Sequence, residues 1–186
     1  MNAAKVRRLL AGYECTKADP GFVANVRGAE LKVGGGGVGA APMALNADAI
    51  AIDTVNEVIY WQPLGSRTLY SLRTAFIRDT GLKNEDLAKR VNNLGPTVMA
   101  SSMLLDAAGV LYFSAVERDA VIMRAPNGSL STFVQAPGLS WIDGMTFTRD
   151  PVTKRGAVWM PATRAYGAAP AAADEGFKVW QAVLTK

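Results

Sequence analysis

An all-β fold made of repeated small antiparallel sheets is predicted by the short apolar strands of this 186-residue sequence. Three segments begin with a polar or acidic residue and continue into apolar residues: Asp48–Asp53, Ser101–Asp106 and Asp143–Thr148. Each is followed by a turn and an aromatic-rich strand, at 58–61, 110–113 and 157–160. Repetition of one strand order is typical of β-propeller blades, although a β-sandwich also has short strands and frequent turns.

Further strands extend each repeat. The first two repeats continue into a third strand, at 67–72 and 120–124. In the second repeat, the turn-forming sequence Pro126-Asn-Gly128 predicts a reversal into a fourth strand at 130–134. A last strand is predicted at 177–184, after an alanine-rich loop at 162–174.

One segment interrupts the strand pattern. Residues 73–95 have helical spacing, with Leu82, Leu87 and Val91 able to share one face. Asn84 is a residue type favoured at helix N-caps, and acidic residues follow it. The segment therefore predicts one short surface helix inserted between the first and second blades.

The chain is predicted to form a single domain, 1–186. Residues 1–45 would hold N-terminal strands and a glycine-rich connection at 34–39, and residues 46–186 would hold about three blades. The glycine run predicts a flexible connection and not a phosphate-binding loop, because no Lys-Ser or Lys-Thr pair follows it.

Composition excludes several classes of function. Histidine is absent and Cys15 is the single cysteine, which removes histidine-based catalytic triads, intrachain disulfides and paired-cysteine metal sites. The net charge of +4 is spread along the chain. The small basic cluster Lys5, Arg7 and Arg8 is interpreted as a solvated strand face, so no nucleic-acid partner is indicated.

Membrane and export signals are also missing from the sequence given. No window approaches the roughly 18 apolar residues of a membrane-spanning helix, so no membrane partner is predicted. The N-terminal residues lack the apolar core of a signal peptide.

Several short motifs together resemble the major royal jelly/yellow protein family, whose bacterial members are labelled dopachrome tautomerase-related. The motifs that carry the resemblance are Asp48–Ile52, Tyr60–Leu64, Arg67–Tyr70, Asn84–Leu87, Leu111–Phe113 with Glu117, Phe133–Gln135 and Leu139–Gly144. The opening, from Val6–Leu10 to Arg27–Gly28, is also similar to the segment before these blades in bacterial relatives.

The resemblance implies a β-propeller of the six-bladed type, akin in architecture to SMP-30/gluconolactonase-like lactone hydrolases. What is present resembles the C-terminal half of such a wheel, a truncated or partial propeller. Its exposed blade faces and strand edges imply a homo-oligomer, or pairing with a separate N-terminal half. The sequence leaves localisation open, because family members are commonly secreted or periplasmic whereas no signal peptide is recognised in this sequence.

Four residues are candidates for binding a ligand in the propeller channel: Asp48, Asp143, Trp141 and Glu117. Asp48 and Asp143 hold matching positions in their repeats, whereas Ala100-Ser101-Ser102 stands where relatives carry Ser-Asp-Gly, so an acidic residue is lost. Two carboxylates there could bind an amine or a divalent cation such as calcium; no other cofactor is implied. The alternatives are that each aspartate caps a loop and that Trp141 packs between blades.

Three functions follow from these expectations. The first is a royal jelly/yellow-like module that binds a small molecule such as an amine. The second is an enzyme, either a dopachrome tautomerase or a metal-dependent lactone hydrolase. The third is an interaction protein or relic without activity.

Overall fold

The computed structural model describes residues 6–33, 41–42, 45–139, 141–153, 155–163 and 178–184. Three antiparallel sheets follow one another along this part of the chain, preceded by two small hairpins. Each sheet is a simple meander, in which strands adjacent in sequence are also adjacent in the sheet.

The first sheet has four strands in the order β5-β6-β7-β8. Their bounds are β5 Ala47–Asp53, β6 Val58–Pro63, β7 Thr68–Arg73 and β8 Asn92–Pro96. The first three agree with the predicted strands. The fourth was not predicted, because Asn92–Pro96 has no apolar alternation; it pairs with β7 at the edge of the sheet.

The helical segment differs from its prediction in position and length. It forms two short helices, α1 Thr74–Arg78 and α2 Asn84–Ala88, between β7 and β8 of the first sheet, not between two blades. Asn84 is the first helical residue after the N-cap Lys83, and its Oδ1 accepts a hydrogen bond from the backbone N–H of Leu10, 3.0 Å away. The predicted N-cap was therefore wrong, because the amide holds the N-terminal segment instead.

The second sheet also has four strands, in the order β9-β10-β11-β12. They are β9 Ala100–Leu105, β10 Leu111–Ala115, β11 Ala120–Arg124 and β12 Leu130–Gln135. The predicted Pro126–Gly128 turn is confirmed, since Gly128 has a φ of 91° and its N–H donates to the carbonyl of Ala125. Glycine adopts this left-handed conformation without steric cost.

The third sheet contains three strands in the described residues: β13 Thr146–Arg149, β14 Gly156–Ala162 and β15 Lys178–Val183. The position of β15 agrees with the predicted last strand. Most of the predicted alanine-rich loop before it, and the predicted strand start at Phe177, lie outside the described residues.

The N-terminal region contains two short hairpins and packs against the sheets. Its hairpins are β1 Asn25–Val26 with β2 Ala29–Glu30, and β3 Lys32–Val33 with β4 Ala41–Pro42. Phe22 and Leu31 pack with Leu64, Met99 and other buried residues at one end of the sheets. The predicted glycine-rich connection and Lys5 lie outside the described residues.

Arg7 is not on a solvated strand face, which corrects the prediction for this basic cluster. Residues 6–9 form no strand, and the guanidinium of Arg7 donates to the carbonyls of Ile77, Asp79 and Leu82 at 2.9–3.1 Å. These carbonyls lie at and after the end of α1, where a cation satisfies backbone acceptors that the helix leaves unpaired.

Successive sheets pack face to face, and we call each buried surface between neighbours an interblade seam. The first seam joins Ala49 and Leu69 of the first sheet to Met103, Phe113 and Ile122 of the second. The second seam joins one face of the second sheet to Val158, Met160 and Ala162 of the third. Three sheets stacked in chain order form a partial β-propeller, which confirms the predicted fold class, and they do not close into a ring within the described residues.

An aspartate stabilises the turn between the first two strands of each of the three blades. Asp53, Asp106 and Asp150 end or follow those first strands, and one carboxylate oxygen of each accepts two backbone N–H groups of the next few residues at 2.6–2.9 Å. These hydrogen bonds lower the pKa of Asp53 and Asp150, with the Asn56 and Thr153 N–H groups as their largest causes.

No helix in the described part of the chain is long and apolar enough to cross a membrane.

Candidate functional site

Asp48 and Asp143 lie at one end of the blades. Asp48 is near the start of β5, and Asp143 precedes β13. Strands that begin a blade are on the axis side of the sheets, since β5 and β9 contact each other across the first seam. Both carboxylates therefore lie at the same end of the blades, on the side of the propeller axis.

The pKa of Asp48 is raised. The larger cause is partial loss of hydration of its carboxyl, although the residue as a whole is exposed, and the second cause is the negative charge of Asp143. The two aspartates are thus close enough to repel each other. A cation placed between them would relieve that repulsion.

Trp141 is a core residue in the structure. Its side chain is 5% exposed and packs with Phe22, Leu64, Met99 and Val116. Its φ of 44° is unusual for a bulky residue and costs about 1–3 kcal/mol, which the surrounding packing must offset. This is the packing role that the sequence left open, and contact between the ring and a ligand would require these neighbours to move.

Glu117 ties three parts of the molecule together. Both of its oxygens accept hydrogen bonds from Nη2 of Arg67 at 2.6 Å, and Oε1 also accepts the backbone N–H of Asn25 at 3.0 Å. The Arg67 guanidinium lies 4.8 Å from the centre of the Phe22 ring. Glu117 thereby links the first blade, the second blade and the N-terminal hairpin, and its carboxylate is already occupied.

A family model described as major royal jelly protein matches residues 13–166. The chain belongs to the major royal jelly protein family. This match confirms the family expected from the sequence motifs, whereas the bacterial dopachrome tautomerase-related subgroup stays a prediction. No curated protein matches the chain.

Solved structures similar to this royal jelly family member include a streptogramin B lyase, at 13% identity and a TM-score of 0.41. Two structures of virginiamycin B lyase from Staphylococcus aureus also match: a catalytically inactive variant with quinupristin, at 8% identity and a TM-score of 0.41, and a selenomethionine-substituted form, at 10% and 0.40. Each match covers 73% of this chain but only 39–40% of the other.

Three serines position the backbone beside Asp143 in this royal jelly family member. Ser101 and Ser102 both donate their hydroxyls to the carbonyl of Ile142, at 2.9 and 2.7 Å, and Ser114 Oγ accepts the N–H groups of both. All three serines are buried. The sequence analysis interpreted Ser101 and Ser102 only as replacing an acidic residue found in relatives. Ser114, a serine within the otherwise apolar strand β10, could have indicated a buried polar cluster.

An apolar cavity adjoins Asp48 on the face of the first blade that points away from the second blade. Its volume is about 330 Å³. It is lined by Leu9, Leu10, Thr16, Ala47, Asp48, Ala49, Ile50, Ile59, Trp61, Leu72, Ile77 and Leu87. Asp48 is the one charged residue in this lining, so the cavity combines an anionic group with a hydrocarbon surface.

The carboxylates near the rim form a pair and not a larger cluster. Within the described residues, no three cysteine, aspartate or glutamate side chains lie together in a way that could hold a metal ion. Asp48 and Asp143 are thus close together, whereas Trp141 is buried and Glu117 is engaged by Arg67.

Proposed function

We propose that this royal jelly family propeller module binds small molecules that carry a cationic amine on an apolar body. The observation that carries the proposal is the position of Asp48, at an apolar cavity of about 330 Å³ and close enough to Asp143 to be affected by its charge. The ammonium would lie between the two carboxylates, and the apolar body would occupy the cavity beside Trp61.

The physical chemistry of the site supports an amine in particular. An ammonium forms charge-assisted hydrogen bonds to carboxylates, and a partly dehydrated setting strengthens them. The cavity walls include Ile50, Ile59 and Leu72, which would bury hydrocarbon at roughly 25 cal/mol per Å². A ligand with a charge alone, or with an apolar body alone, would use half of the site.

Calorimetric titration with phenethylamine tests the proposal, with 2-phenylethanol as the neutral probe of the same size. We expect saturable binding of the amine and about tenfold weaker binding to Asp48→Asn, the loss of one charge-assisted hydrogen bond. Asp143→Asn should weaken binding less. Glu30→Gln, which removes an exposed carboxylate paired with Lys32, is the matched control and should bind normally.

The result against the proposal is equal affinity for the amine and the alcohol, or an Asp48→Asn, Asp143→Asn double variant that binds the amine like wild type. A titration without binding by wild type would also reject it.

The raised pKa of Asp48 predicts a second, independent readout. A carboxyl whose folded pKa is raised contributes stability at low pH that is lost as pH rises through the folded pKa. Asp48→Asn should therefore increase the free energy of unfolding at neutral pH, and this gain should vanish below the ordinary aspartate pKa of about 3.9. Urea unfolding at both pH values measures it, and a variant less stable than wild type at neutral pH contradicts the assigned environment.

A further inference from the structure

A second cavity lies between the first two blades, at the end opposite Asp48. Its volume is about 800 Å³, and it reaches the turns that follow β5 and β9. Asp53 at the end of β5 belongs to its lining, whereas Asp48 is five residues earlier, about 17 Å along an extended strand. This cavity, which we call the interblade groove and whose lining includes Tyr60, Ser71, Arg73, Asn92 and Arg124, is thus separate from the amine site.

Hydrogen-bond donors without protein partners line the groove. Arg73 is exposed, and its guanidinium forms no hydrogen bond or ion pair with the described residues. The hydroxyl of Ser71 and the amide of Asn92 likewise have no partner among them. Arg124, from the second blade, makes one long hydrogen bond of 3.3 Å to the carbonyl of Leu94.

The two acidic residues of the groove each already accept three hydrogen bonds from protein groups. Asp53 accepts from the N–H groups of Val55 and Asn56 and from the Asn56 side chain. Asp106 accepts from two N–H groups of its turn and from the hydroxyl of Tyr112 at 3.0 Å. Neither carboxylate forms an ion pair with Arg73 or Arg124, so both guanidiniums keep N–H donors for a ligand.

The charge balance selects the ligand. Two guanidiniums are offset by two aspartates, so the lining carries no net charge, and a ligand with two negative charges would be repelled more strongly than a ligand with one. Arginine presents a planar fork of donors that matches a carboxylate. The lining also contains apolar residues, namely Val58, Leu94, Leu105, Leu111 and Pro126.

We propose that the interblade groove binds a small organic monocarboxylate, with its carboxylate held by Arg73 and Arg124 and its hydrocarbon part against Leu94, Leu105 and Leu111. Ser71 and Asn92 supply further donors from the first blade. The site takes one arginine from each of two blades, so it exists only when the first interblade seam is formed.

Calorimetric titration of the full chain with 3-phenylpropionate tests this proposal, with 3-phenylpropanol and phenyl phosphate as comparison probes. We expect the carboxylate to bind most tightly, because the alcohol lacks the charge and the phosphate carries too much of it near neutral pH. Arg73→Gln and Arg124→Gln should each weaken carboxylate binding about tenfold. Arg118→Gln removes an exposed cation at the opposite end of the blades and should change nothing.

Three outcomes would overturn the proposal. One is the absence of saturable carboxylate binding to wild type up to about 10 mM, weaker than a fragment with two charge-assisted hydrogen bonds should show. Another is equal binding of the alcohol. The third is an Arg73→Gln, Arg124→Gln double variant that is folded by circular dichroism and binds the carboxylate as wild type does.

Discussion

The interblade seams and the outer faces of the two terminal blades are made from the same strands but have different surroundings. Phe113 in the first seam is fully buried, whereas Ile52, on the outer face of the first blade, is 53% exposed. Val179, on the outer face of the third blade, is 72% exposed. Apolar residues on both faces of a strand therefore do not establish that both faces are covered; the neighbouring sheet decides this.

The largest difference between a seam and an outer face is expected for truncation of an apolar side chain. Phe113→Ala should lower the free energy of unfolding by about 3–5 kcal/mol, because the side chain leaves a cavity between two sheets. Ile52→Ala, its control on the outer face, should cost less than about 1 kcal/mol. Urea unfolding of both variants measures the difference, and similar losses would mean that the outer face is covered in solution.

A buried polar side chain should give the next largest effect. Gln62 is fully buried; its amide donates to the carbonyls of Ser66 and Val98, and its Oε1 accepts from Thr97 at 2.6 Å. Gln62→Leu should cost about 3 kcal/mol, since each unsatisfied buried group costs about 1–3 kcal/mol.

Gln135→Leu is the matched control for Gln62→Leu. Gln135 is exposed and its amide makes one hydrogen bond, to the carbonyl of Arg118. It should cost less than about 1 kcal/mol, because water can replace that bond. A Gln62→Leu variant as stable as this control would show that the hydrogen bonds of Gln62 contribute little to the seam.

Ion pairs should repeat the same contrast on a smaller scale. The Arg67–Glu117 pair joins two blades, and its carboxylate side chain is 16% exposed, but Arg67 is 45% exposed, so we expect a coupling energy of only about 1 kcal/mol. The Arg78–Glu57 pair, with 60% and 58% exposure, should couple by less than about 0.5 kcal/mol. Double-mutant cycles in urea would measure both, and equal couplings would remove the special role of the interblade pair.

The strand pattern was sufficient to predict most of the fold. Ten of the predicted strands correspond to strands of the three blades, because core strands are apolar and their turns carry glycine, asparagine or aspartate. β8 was missed since an edge strand needs only backbone pairing, and its sequence Asn92–Pro96 carries no apolar signal. The helix start was predicted wrongly because capping by Asn84 depends on the local geometry. The Oδ1 atom of Asn84 instead accepts a hydrogen bond from the backbone N–H of Leu10.

The candidate site was less predictable than the fold. The pairing of Asp48 with Asp143 followed from equivalent positions in a repeat, which the strand order could reveal. The engagement of Glu117 by Arg67, and the approach of Arg73 to the same groove as Arg124, depend on how two blades pack. Residues far apart in sequence meet there through tertiary contacts that no local pattern encodes.

Substitutions on the outer faces should change the free energy of unfolding least. They also test most directly whether these faces, unlike the interblade seams, are open to solvent. The expectation of self-association predicts that Ile50 and Ile52 of one copy pack against Trp159, Val179 and Val183 of another, because these are the exposed apolar side chains of the two terminal blades. Light scattering over a range of concentrations should then give a dimer for wild type and a monomer for Ile52→Lys combined with Val179→Lys.

A matched control keeps this result specific. Val152→Lys also places a charge at an exposed apolar residue, 85% exposed, but in the turn between β13 and β14 and not on an outer face. It should leave the dimer intact. If wild type is monomeric at every concentration, the outer faces are open in solution, and the seams alone provide the stability of the three blades; if the control also dissociates the dimer, added charge and not the outer faces explains the change.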